Sequence, residues 1–345
     1  MGTVPALITI HEIAGLAGVS KSTVSRVLNN SGYVSQSARN KVEKVIREQN
    51  YSPSAVAINL SRRETSAIGI VIPELENTFF SEVLKGITEI SDKNNFSLIC
   101  CDTANDAIKE DRALHMLEQQ RVRGLIITPA KEYSDPDDIR RMQNRFNGIK
   151  TPIVLVDRHL EKIPLDAVYY ENFESGNLAA SELIKAGNNR IGVITGDLQL
   201  RIARDRYQGV RQAVSDAGLE LEDEFVLEGD FSVDTAYKLA KKMFESGRFP
   251  EGIITSNNLT SLGFLKAARE CKVKIGRDIA VIGIDHIPIL DILDYNFSCV
   301  TRDTYETGRA AMRLLHARIE NSMTPLETHM IPCELMLKGS ERRVL

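Results

Sequence analysis

Apolar residues near the start of the chain fall at the spacing of a helix with one buried face. They occupy positions i, i+3, i+4 and i+7 of a single helical stripe, namely Ile10, Ile13, Ala14 and Ala17. Thr9, with Glu12 three residues later, predicts a capping box at the start of this helix. Gly18 follows its last apolar position and predicts its end.

A second short helix is predicted directly after Ser20, which can cap it. Its apolar side is formed by Val24, Val27 and Leu28, and its polar side by Ser22, Ser25 and Arg26, with Lys21 at the flank. A third helix is predicted from about Ser35 to Gln49. Three short helices with a glycine-containing turn after the first predict a helix-turn-helix module.

The segment YSPSAVAINLSRRETS follows this module and contains another helix start. Ser52 and Pro53 form a cap and first-turn pair, but only about eight residues remain before the charged stretch RRETS. A helix this short is marginal by itself. We therefore expect it to form only when something packs against it.

From Ala67 onward the pattern changes to short β-branched runs separated by amphipathic helical stretches. Eight such runs occur: AIGIVIP, FSLICC, GLIITP, PIVLVD, RIGVITG, FVLEGD, EGIITS and IAVIGID. Continuous apolar strands between helices indicate parallel sheet covered on both faces. Eight strands suit two doubly wound lobes better than one sheet.

Polar and aromatic residues cluster where these predicted strands end. They are Glu74 to Phe80, Asp102, Asp157, Arg158, Asp197 to Arg206, Phe231, Asn257, Asn258 and Asp285. Ligands of open α/β sheets bind beyond the carboxyl ends of the strands. The sequence therefore predicts a cleft between two lobes that closes on a small ligand.

Charge is distributed unevenly along the 345 residues. Residues 1–63 carry eight Lys and Arg against three Glu, a net charge of +5, whereas the rest carries −9. This asymmetry fits a basic head that meets phosphate and an acidic body that does not.

Cysteine and hydropathy patterns bear on the compartment. Five cysteines are an odd number without metal-ligand spacing, which favours a reducing cytosol over structural disulfides. No stretch approaches the roughly 18 apolar residues of a membrane span. A cytoplasmic protein without membrane contact is expected.

The sequence contains none of the common catalytic patterns. The six histidines show no metal spacing, and no G-x-S-x-G, P-loop or G-x-G-x-x-G follows a predicted strand. The adjacent Cys100 and Cys101 end a strand, where a buried structural role is favoured over redox chemistry. We expect no catalytic residue, metal or cofactor, and hence no enzyme.

Several motifs resemble those of a known family. TIHEIAGLAGVSKSTVSRVLN, YSPSAVAINL and IGIVIP with NTFF are similar to the lactose/purine/ribose repressor family of bacterial transcription regulators. The shorter stretches VDR, ARDRYQG, EGDFS, SNNLTSLG and VIGID occur in the family's order. The resemblance covers nearly the whole chain. It implies an all-α helix-turn-helix head and an α/β, two-lobed body similar to periplasmic ribose-type binding proteins.

The resemblance also implies domain boundaries. A helix-turn-helix domain would span residues 8–51, a hinge helix and linker 52–66, and an effector-binding and dimerisation domain 67–345. Within that domain, one lobe would hold about 67–172 and 299–331. The other would hold about 173–298 and 332–345.

DNA contacts are implied on the second helix. The resemblance assigns base reading in the major groove to Lys21, Ser22 and Arg26, and a minor-groove wedge to Leu60. It assigns phosphate contacts to Ser20, Thr23, Ser25 and Asn29. Simpler interpretations stay open: Arg26 as a solvated surface charge, Leu60 as ordinary packing, and Arg62 and Arg63 as linker charge.

Effector contacts are implied at the predicted cleft. The positions are Asn77, Phe79, Phe80, Asp157, Arg158, Arg204, Phe231, Asn257, Asp285 and Arg302. Aromatic faces suit the C–H surfaces of a sugar, and carboxylates, amides and arginines suit its hydroxyls. The simpler alternative is that Phe79 and Phe80 are core residues and that Asp157 and Arg158 neutralise each other.

Three residues depart from the family's pattern. Thr78 replaces a common proline, Arg302 replaces a glutamine of the ribose-type site, and His286 replaces a small or acidic residue. An additional cation favours a phosphorylated or acidic sugar, so ribose is not singled out.

The predicted protein is a homodimeric repressor of a carbohydrate-utilisation operon, bound to a pseudo-palindromic operator and controlled by a monosaccharide. A nucleobase effector stays open, as does control by a protein partner at AAMRLL, residues 310–315. A sugar-binding transport protein is a weaker alternative. It would need a signal peptide and would leave residues 9–29 without a purpose.

Overall fold

The computed structural model describes residues 8–28, 31–49, 51, 65–133, 135–160 and 162–344. The chain divides into two compact units, with the boundary between Thr65 and Ser66. The predicted hinge segment 52–66 lies almost wholly outside the described residues.

The first unit contains the three predicted helices: α1 Ile10–Ala17, α2 Lys21–Leu28 and α3 Gln36–Glu48. The capping box is confirmed, because Glu12 accepts a 2.7 Å bond from the Thr9 amide and Thr9 accepts one from the Glu12 amide. Gly18 ends α1 with φ 65°, a left-handed conformation that glycine adopts without strain. Ile13, Val24 and Val42, one from each helix, are fully buried and form the core.

The second unit contains two six-stranded sheets. The first sheet is wholly parallel, in the order β11-β5-β4-β3-β1-β2. Its strands are β1 Ala67–Ile72, β2 Ser97–Asp102, β3 Gly124–Ile127, β4 Ile153–Val156, β5 Asp166–Tyr170 and β11 Thr328–Ile331.

The second sheet has the order β12-β10-β9-β8-β6-β7 and is parallel except for β12. Its strands are β6 Ile191–Ile194, β7 Val226–Leu227, β8 Gly252–Thr255, β9 Ala280–Ile284, β10 Ser298–Arg302 and β12 Cys333–Met336. The predicted two-lobed, doubly wound body is confirmed.

Helices cover both faces of each sheet. They are α4 Thr78–Lys93, α5 Ala107–Gln120, α6 Pro136–Ile149, α7 Asn172–Lys185, α8 Arg201–Asp216, α9 Val233–Glu245, α10 Asn258–Glu270, α11 Pro288–Ile292 and α12 Thr304–Glu320. Among the described residues, no helix is long and apolar enough to cross a membrane.

Close helix crossings depend on glycine. A Cβ atom at Gly176 of α7 would lie 1.9 Å from the carbonyl oxygen of Arg206 in α8. A Cβ atom at Gly308 of α12 would lie 1.9 Å from the carbonyl oxygen of Val83 in α4. The absent side chains let the backbones touch, and this sets the close packing of α7 on α8 and of α12 on α4.

One of the crossings between the lobes lies a few residues later in the chain than the sequence predicted. The strand β10 pairs with β9 and β12, so residues 298–302 belong to the second sheet. The boundary expected from the sequence returned the chain to the first lobe at about residue 299. The return follows Arg302, because α12 is the element that packs on α4.

Candidate functional site

The helix α2 presents a polar face to solvent. Lys21, Ser22 and Arg26 are exposed, whereas Val24 and Val27 are buried in the unit core. This separation holds α2 by its apolar side and leaves the predicted base-reading side chains accessible.

Local contacts orient the two ends of α2. The Ser20 hydroxyl accepts a 3.2 Å bond from the Thr23 amide and lies 2.7 Å from the Ser22 hydroxyl, as expected of a capping residue. At the other end, a Cβ atom at Gly32 would lie 3.5 Å from Cδ of Arg26, so the arginine stem runs along the glycine backbone. Ser25 is half-buried. Asn29, Leu60, Arg62 and Arg63 lie outside the described residues.

A cavity of about 670 Å³ lies between the two lobes of the body. Nine of the ten predicted effector residues line it: Asn77, Phe79, Phe80, Asp157, Arg158, Phe231, Asn257, Asp285 and Arg302. They come from both sheets, at or just beyond the carboxyl ends of strands. The strand-end argument therefore located the cavity.

Arg204 is the exception among the predicted effector residues. Its guanidinium donates to Glu132 at 2.6 Å and to the carbonyl oxygen of Gln199 at 2.7 Å, and it does not line the cavity. Glu132 belongs to the first lobe, so this ion pair links the two lobes beside the cavity. Of the two arginines in ARDRYQG, the predicted one is therefore not the one that lines the cavity.

Arg206, two residues later, lines the cavity and is 3% exposed. It donates to the Asn172 side chain at 2.9 Å and to the Ser256 carbonyl at 2.5 Å. Burial, and then the positive charge of Arg302, lower the pKa of Arg206 to about 10, so it remains charged at neutral pH. Helical phase was the missed signal, because Arg206 falls on the buried face of α8 with Ile202, Ala203, Gly209 and Val210.

Three cavity residues have left-handed backbones although none is glycine. Asp157, Phe231 and Asp285 have φ values of 65°, 69° and 72°. Such conformations cost free energy and persist where the surrounding structure holds them, commonly at binding sites. The ring of Phe231 lies flat on Gly196, where a Cβ atom would be 2.0 Å from the ring.

Arg302 occupies the centre of the cavity wall. Its Nε and Nη2 atoms donate to one oxygen of Asp285 at 2.9 and 2.5 Å. Its guanidinium carbon lies 4.0 Å from the ring centroid of Tyr170 and 4.8 Å from that of Phe79. Burial opposes the charge of Arg302, but Asp285 and the other groups around it raise its pKa above the ordinary value. The charge is therefore permanent.

Arg158 is anchored by the backbone of its own lobe. Its Nη1 atom donates to the carbonyl oxygens of Pro129 and Ala130, and its Nη2 atom to Asn105. Burial lowers the pKa of Arg158. Its guanidinium is bound to these three acceptors, which differs from the simple mutual neutralisation with Asp157 that the sequence had left open.

Two asparagines of the cavity wall, Asn77 and Asn257, serve as helix caps. Asn77 accepts from the Phe79 amide at 3.0 Å, and Asn257 accepts from the Thr260 amide at 2.7 Å. The side chain of Asn258 donates at 2.9 Å to both Asn77 and Thr78, across the two lobes. Thr78, where the family commonly has proline, is thus an interlobe contact.

Phe79 and Phe80 combine the two roles that the sequence left open. They are 6% and 5% exposed, meet edge to face with ring centroids 4.9 Å apart, and belong to the core of the first lobe. Both also line the cavity. In the part of the chain that the structure describes, no group of three or more His, Cys, Asp or Glu side chains is placed to hold a metal ion.

Comparison with known proteins gives consistent matches for both units. A family model described as "Bacterial regulatory proteins, lacI family" matches residues 9–54. A second, "Periplasmic binding proteins and sugar binding domain of LacI family", matches residues 65–338.

Individual relatives and structures extend over nearly the whole chain. The HTH-type transcriptional repressor PurR of Mannheimia succiniciproducens is 31% identical over 97% of this chain and 99% of its own. A ribose operon repressor of Halalkalibacterium halodurans is 32% identical over 97% of each. The Lac repressor dimer bound to operator and the anti-inducer ONPF has the same fold, with a TM-score of 0.84, 24% identity and coverage of 97% and 99%.

Proposed function

The chain belongs to the lacI family of bacterial regulatory proteins, and from this premise we propose that it controls a carbohydrate-utilisation operon in response to a monosaccharide. It is a DNA-binding repressor with a separate effector-binding domain. The observation that carries the proposal is the convergence of nine predicted effector residues, from both lobes, around one cavity.

On the DNA side, we assign base reading to the exposed face of α2. Arg26 can present two donors to one guanine, and Lys21 and Ser22 can reach neighbouring base edges. Hydroxyls of Ser20, Thr23 and Ser25 are suited to phosphate oxygens, which fix the position of the helix but carry no sequence information. Asn29 and the wedge residue Leu60 remain assignments from the family resemblance.

On the effector side, the cavity chemistry favours a sugar over a nucleobase. An amide side chain that pairs with a base edge must offer a free donor and a free acceptor. The amide oxygens of Asn77 and Asn257 already accept backbone bonds as caps, and the Asn257 nitrogen donates to the Phe231 carbonyl at 3.2 Å. Carboxylates and guanidinium groups dominate the remaining polar wall, and these suit hydroxyls.

Control by a protein partner at residues 310–315 receives no support from the geometry. Ala310, Ala311, Met312, Leu314 and Leu315 are buried beneath α4 and the first sheet. Only Arg313 of this stretch is exposed. A partner would therefore meet one arginine and not an apolar helix face.

Catalysis and export are not part of the proposed function. The relatives compared are transcriptional repressors and not enzymes. We place the protein in the cytoplasm, where it would meet its operator.

The proposed function is tested by asking whether small molecules weaken or strengthen the binding of the protein to its operator. Genomic fragments retained by the purified protein would identify the operator, and its dissociation constant would be measured with pentoses, hexoses, polyols, their phosphates and nucleobases. One monosaccharide should change the operator dissociation constant at least about fivefold, within the usual range of allosteric coupling. A change produced by nucleobases alone would contradict the effector class while leaving the DNA-binding role intact.

We further propose that the body forms a homodimer through the exposed apolar segment around α11. Ile289, Ile292 and Leu293 are 50, 76 and 67% exposed, and Tyr295 lies beside them. Apolar side chains grouped in this way on a surface mark an interaction site. Specific DNA binding also requires a dimer, because the single short recognition helix of one copy contacts too few base pairs to specify a genomic site.

Replacing Ile292 with glutamate should produce a monomer, because the interface would have to bury an unpaired carboxylate. Analytical ultracentrifugation measures the change, and operator affinity should fall with it. Met323→Glu is the control, because Met323 is 87% exposed and lies outside this segment. An unchanged dimer in Ile292→Glu, or a monomer in Met323→Glu, would place the interface elsewhere.

A further inference from the structure

We propose that the cavity takes an uncharged, hydroxyl-rich effector and that Arg302 serves as the internal counter-ion of the cavity's own carboxylates. This inference rests on the proposed function of the cavity as an effector site. It reverses the sequence expectation that an additional arginine favours a phosphorylated or acidic sugar. The reasons lie in how the charged groups of the cavity are already used.

The charge of Arg302 is balanced by the chain itself. Two of its nitrogens donate to Asp285, and its third nitrogen, Nη1, faces Oδ1 of Asp157 at 3.7 Å. The side chains of Arg302, Asp157 and Asp285 are 2, 6 and 8% exposed. Two carboxylates from different lobes therefore surround one guanidinium. An anionic ligand group at this position would have to approach both carboxylates.

The other two arginines of the cavity are also largely committed. Arg158 donates to two carbonyl oxygens and to Asn105, and Arg206 donates to Asn172 and to the Ser256 carbonyl. A phosphate site usually offers several convergent donors from arginines or backbone amides. Six of the nine guanidinium nitrogens of the three cavity arginines donate to protein acceptors.

Three buried side-chain atoms of cavity residues have no hydrogen-bond partner: Nε of Arg158, Oδ1 of Asp157 and Nη1 of Arg302. The last two face each other, and one is an acceptor and the other a donor. Their 3.7 Å separation lets a single oxygen lie at hydrogen-bond distance from both. A hydroxyl satisfies both atoms because it donates and accepts, whereas a fully ionised phosphate or carboxylate only accepts.

The charged residues that line the cavity also favour an uncharged effector. Its lining contains eight carboxylates, namely Glu74, Glu132, Asp135, Asp138, Asp157, Asp197, Asp230 and Asp285, and four cations, Lys131, Arg158, Arg206 and Arg302. Glu132 is paired with Arg204 and Asp138 with Arg141, both outside this lining. The excess of negative charge that remains opposes the entry of an anion. A neutral sugar meets no such barrier.

Isothermal titration of the full chain with matched pairs tests the inference: D-ribose, D-glucose and D-fructose against D-ribose 5-phosphate, D-glucose 6-phosphate and D-fructose 6-phosphate. The parent sugar that binds should do so at least about tenfold more tightly than its ester. An ester that binds as tightly as its parent overturns the proposal. Binding by none of the six overturns the ligand class.

The part played by Arg302 is tested with Arg302→Gln, which keeps hydrogen-bonding capacity but removes the charge. Parent-sugar affinity should fall about 10- to 100-fold, as expected for loss of a charged hydrogen bond. Arg248→Gln is the matched control, because Arg248 is 68% exposed and pairs with Glu224 at the surface. Its sugar affinity should be unchanged.

Arg302→Gln leaves Asp285 unpaired and could lose sugar affinity through misfolding alone. A second variant separates that effect from the loss of the sugar contact. The double variant Asp285→Asn with Arg302→Gln removes both charges of the pair and should fold while showing the same loss of sugar affinity. Sugar affinity that survives in either folded variant overturns the role of Arg302. Operator binding is measured on each preparation as well. Arg302 lies in the effector cavity and not on α2, so operator binding should persist in both variants. Its absence in the unsubstituted protein would instead contradict the proposed repressor function.

Discussion

Arg26→Ala should abolish specific operator binding while effector binding to the body stays unchanged. A bidentate arginine–guanine contact contributes about 1–3 kcal/mol of discrimination in each half-site. A dimer uses two half-sites, so the loss is about 2–6 kcal/mol, roughly 30-fold to 10⁴-fold in affinity. Folding should be spared because the Arg26 side chain is exposed and outside the core of its unit.

Fluorescence anisotropy with the operator and with a scrambled duplex measures this effect. The variant should bind both duplexes with similar, weak affinity that depends strongly on salt, because phosphate contacts remain. Arg47→Ala is the control, since it removes the same charge from an exposed position at the end of α3. Full operator affinity in Arg26→Ala would mean that another element reads the bases.

Asp285→Ala should eliminate the effector response and destabilise the body. The substitution leaves the fully buried Arg302 without its hydrogen-bonded carboxylate, which costs about 3–5 kcal/mol. Alanine also tolerates the φ of 72° at this position less well than aspartate does. Urea unfolding of the body and effector-dependent operator binding measure the two losses.

Asp285→Asn separates the effect of the lost charge from the effect of backbone strain. Asparagine has the same size and tolerates the left-handed backbone equally well, but it carries no charge. It should retain more stability than alanine while still losing most of the effector response. Asp216→Ala, at the exposed end of α8, should change neither quantity. An effector response in Asp285→Ala equal to that of the wild type would move the ligand away from this carboxylate.

The elements that the sequence predicted best are those with strong periodicity. The helix starts at Thr9 and Ser35 and eight strands were recovered because capping residues and β-branched runs act locally. The strands β5, β10, β11 and β12 were missed. Segments such as DAVYY, SCVTR, THMI and CELM are short and carry polar residues, so their strand conformation depends on pairing with distant neighbours.

The site was predictable in outline but not in its interactions. Nine of the ten residues predicted from strand ends and family resemblance line one cavity, since position at a strand end follows from topology. The sequence pointed to Arg204, whereas Arg206 lines the cavity, because both occur in one short motif and only the helical phase distinguishes the buried arginine. The pairing of Arg302 with Asp285 joins residues 17 positions apart, and no local pattern encodes it.

The two lobes are interleaved along the chain, and this has a consequence for biosynthesis. The first sheet acquires β11 only at residues 328–331, and the second acquires β12 only at 333–336. The helix α12, which packs on α4 more than 200 residues earlier, also emerges late from the ribosome. Contacts of such long sequence separation slow folding. Neither sheet can be completed before residues 328–336 have left the ribosome, so the two lobes must mature together.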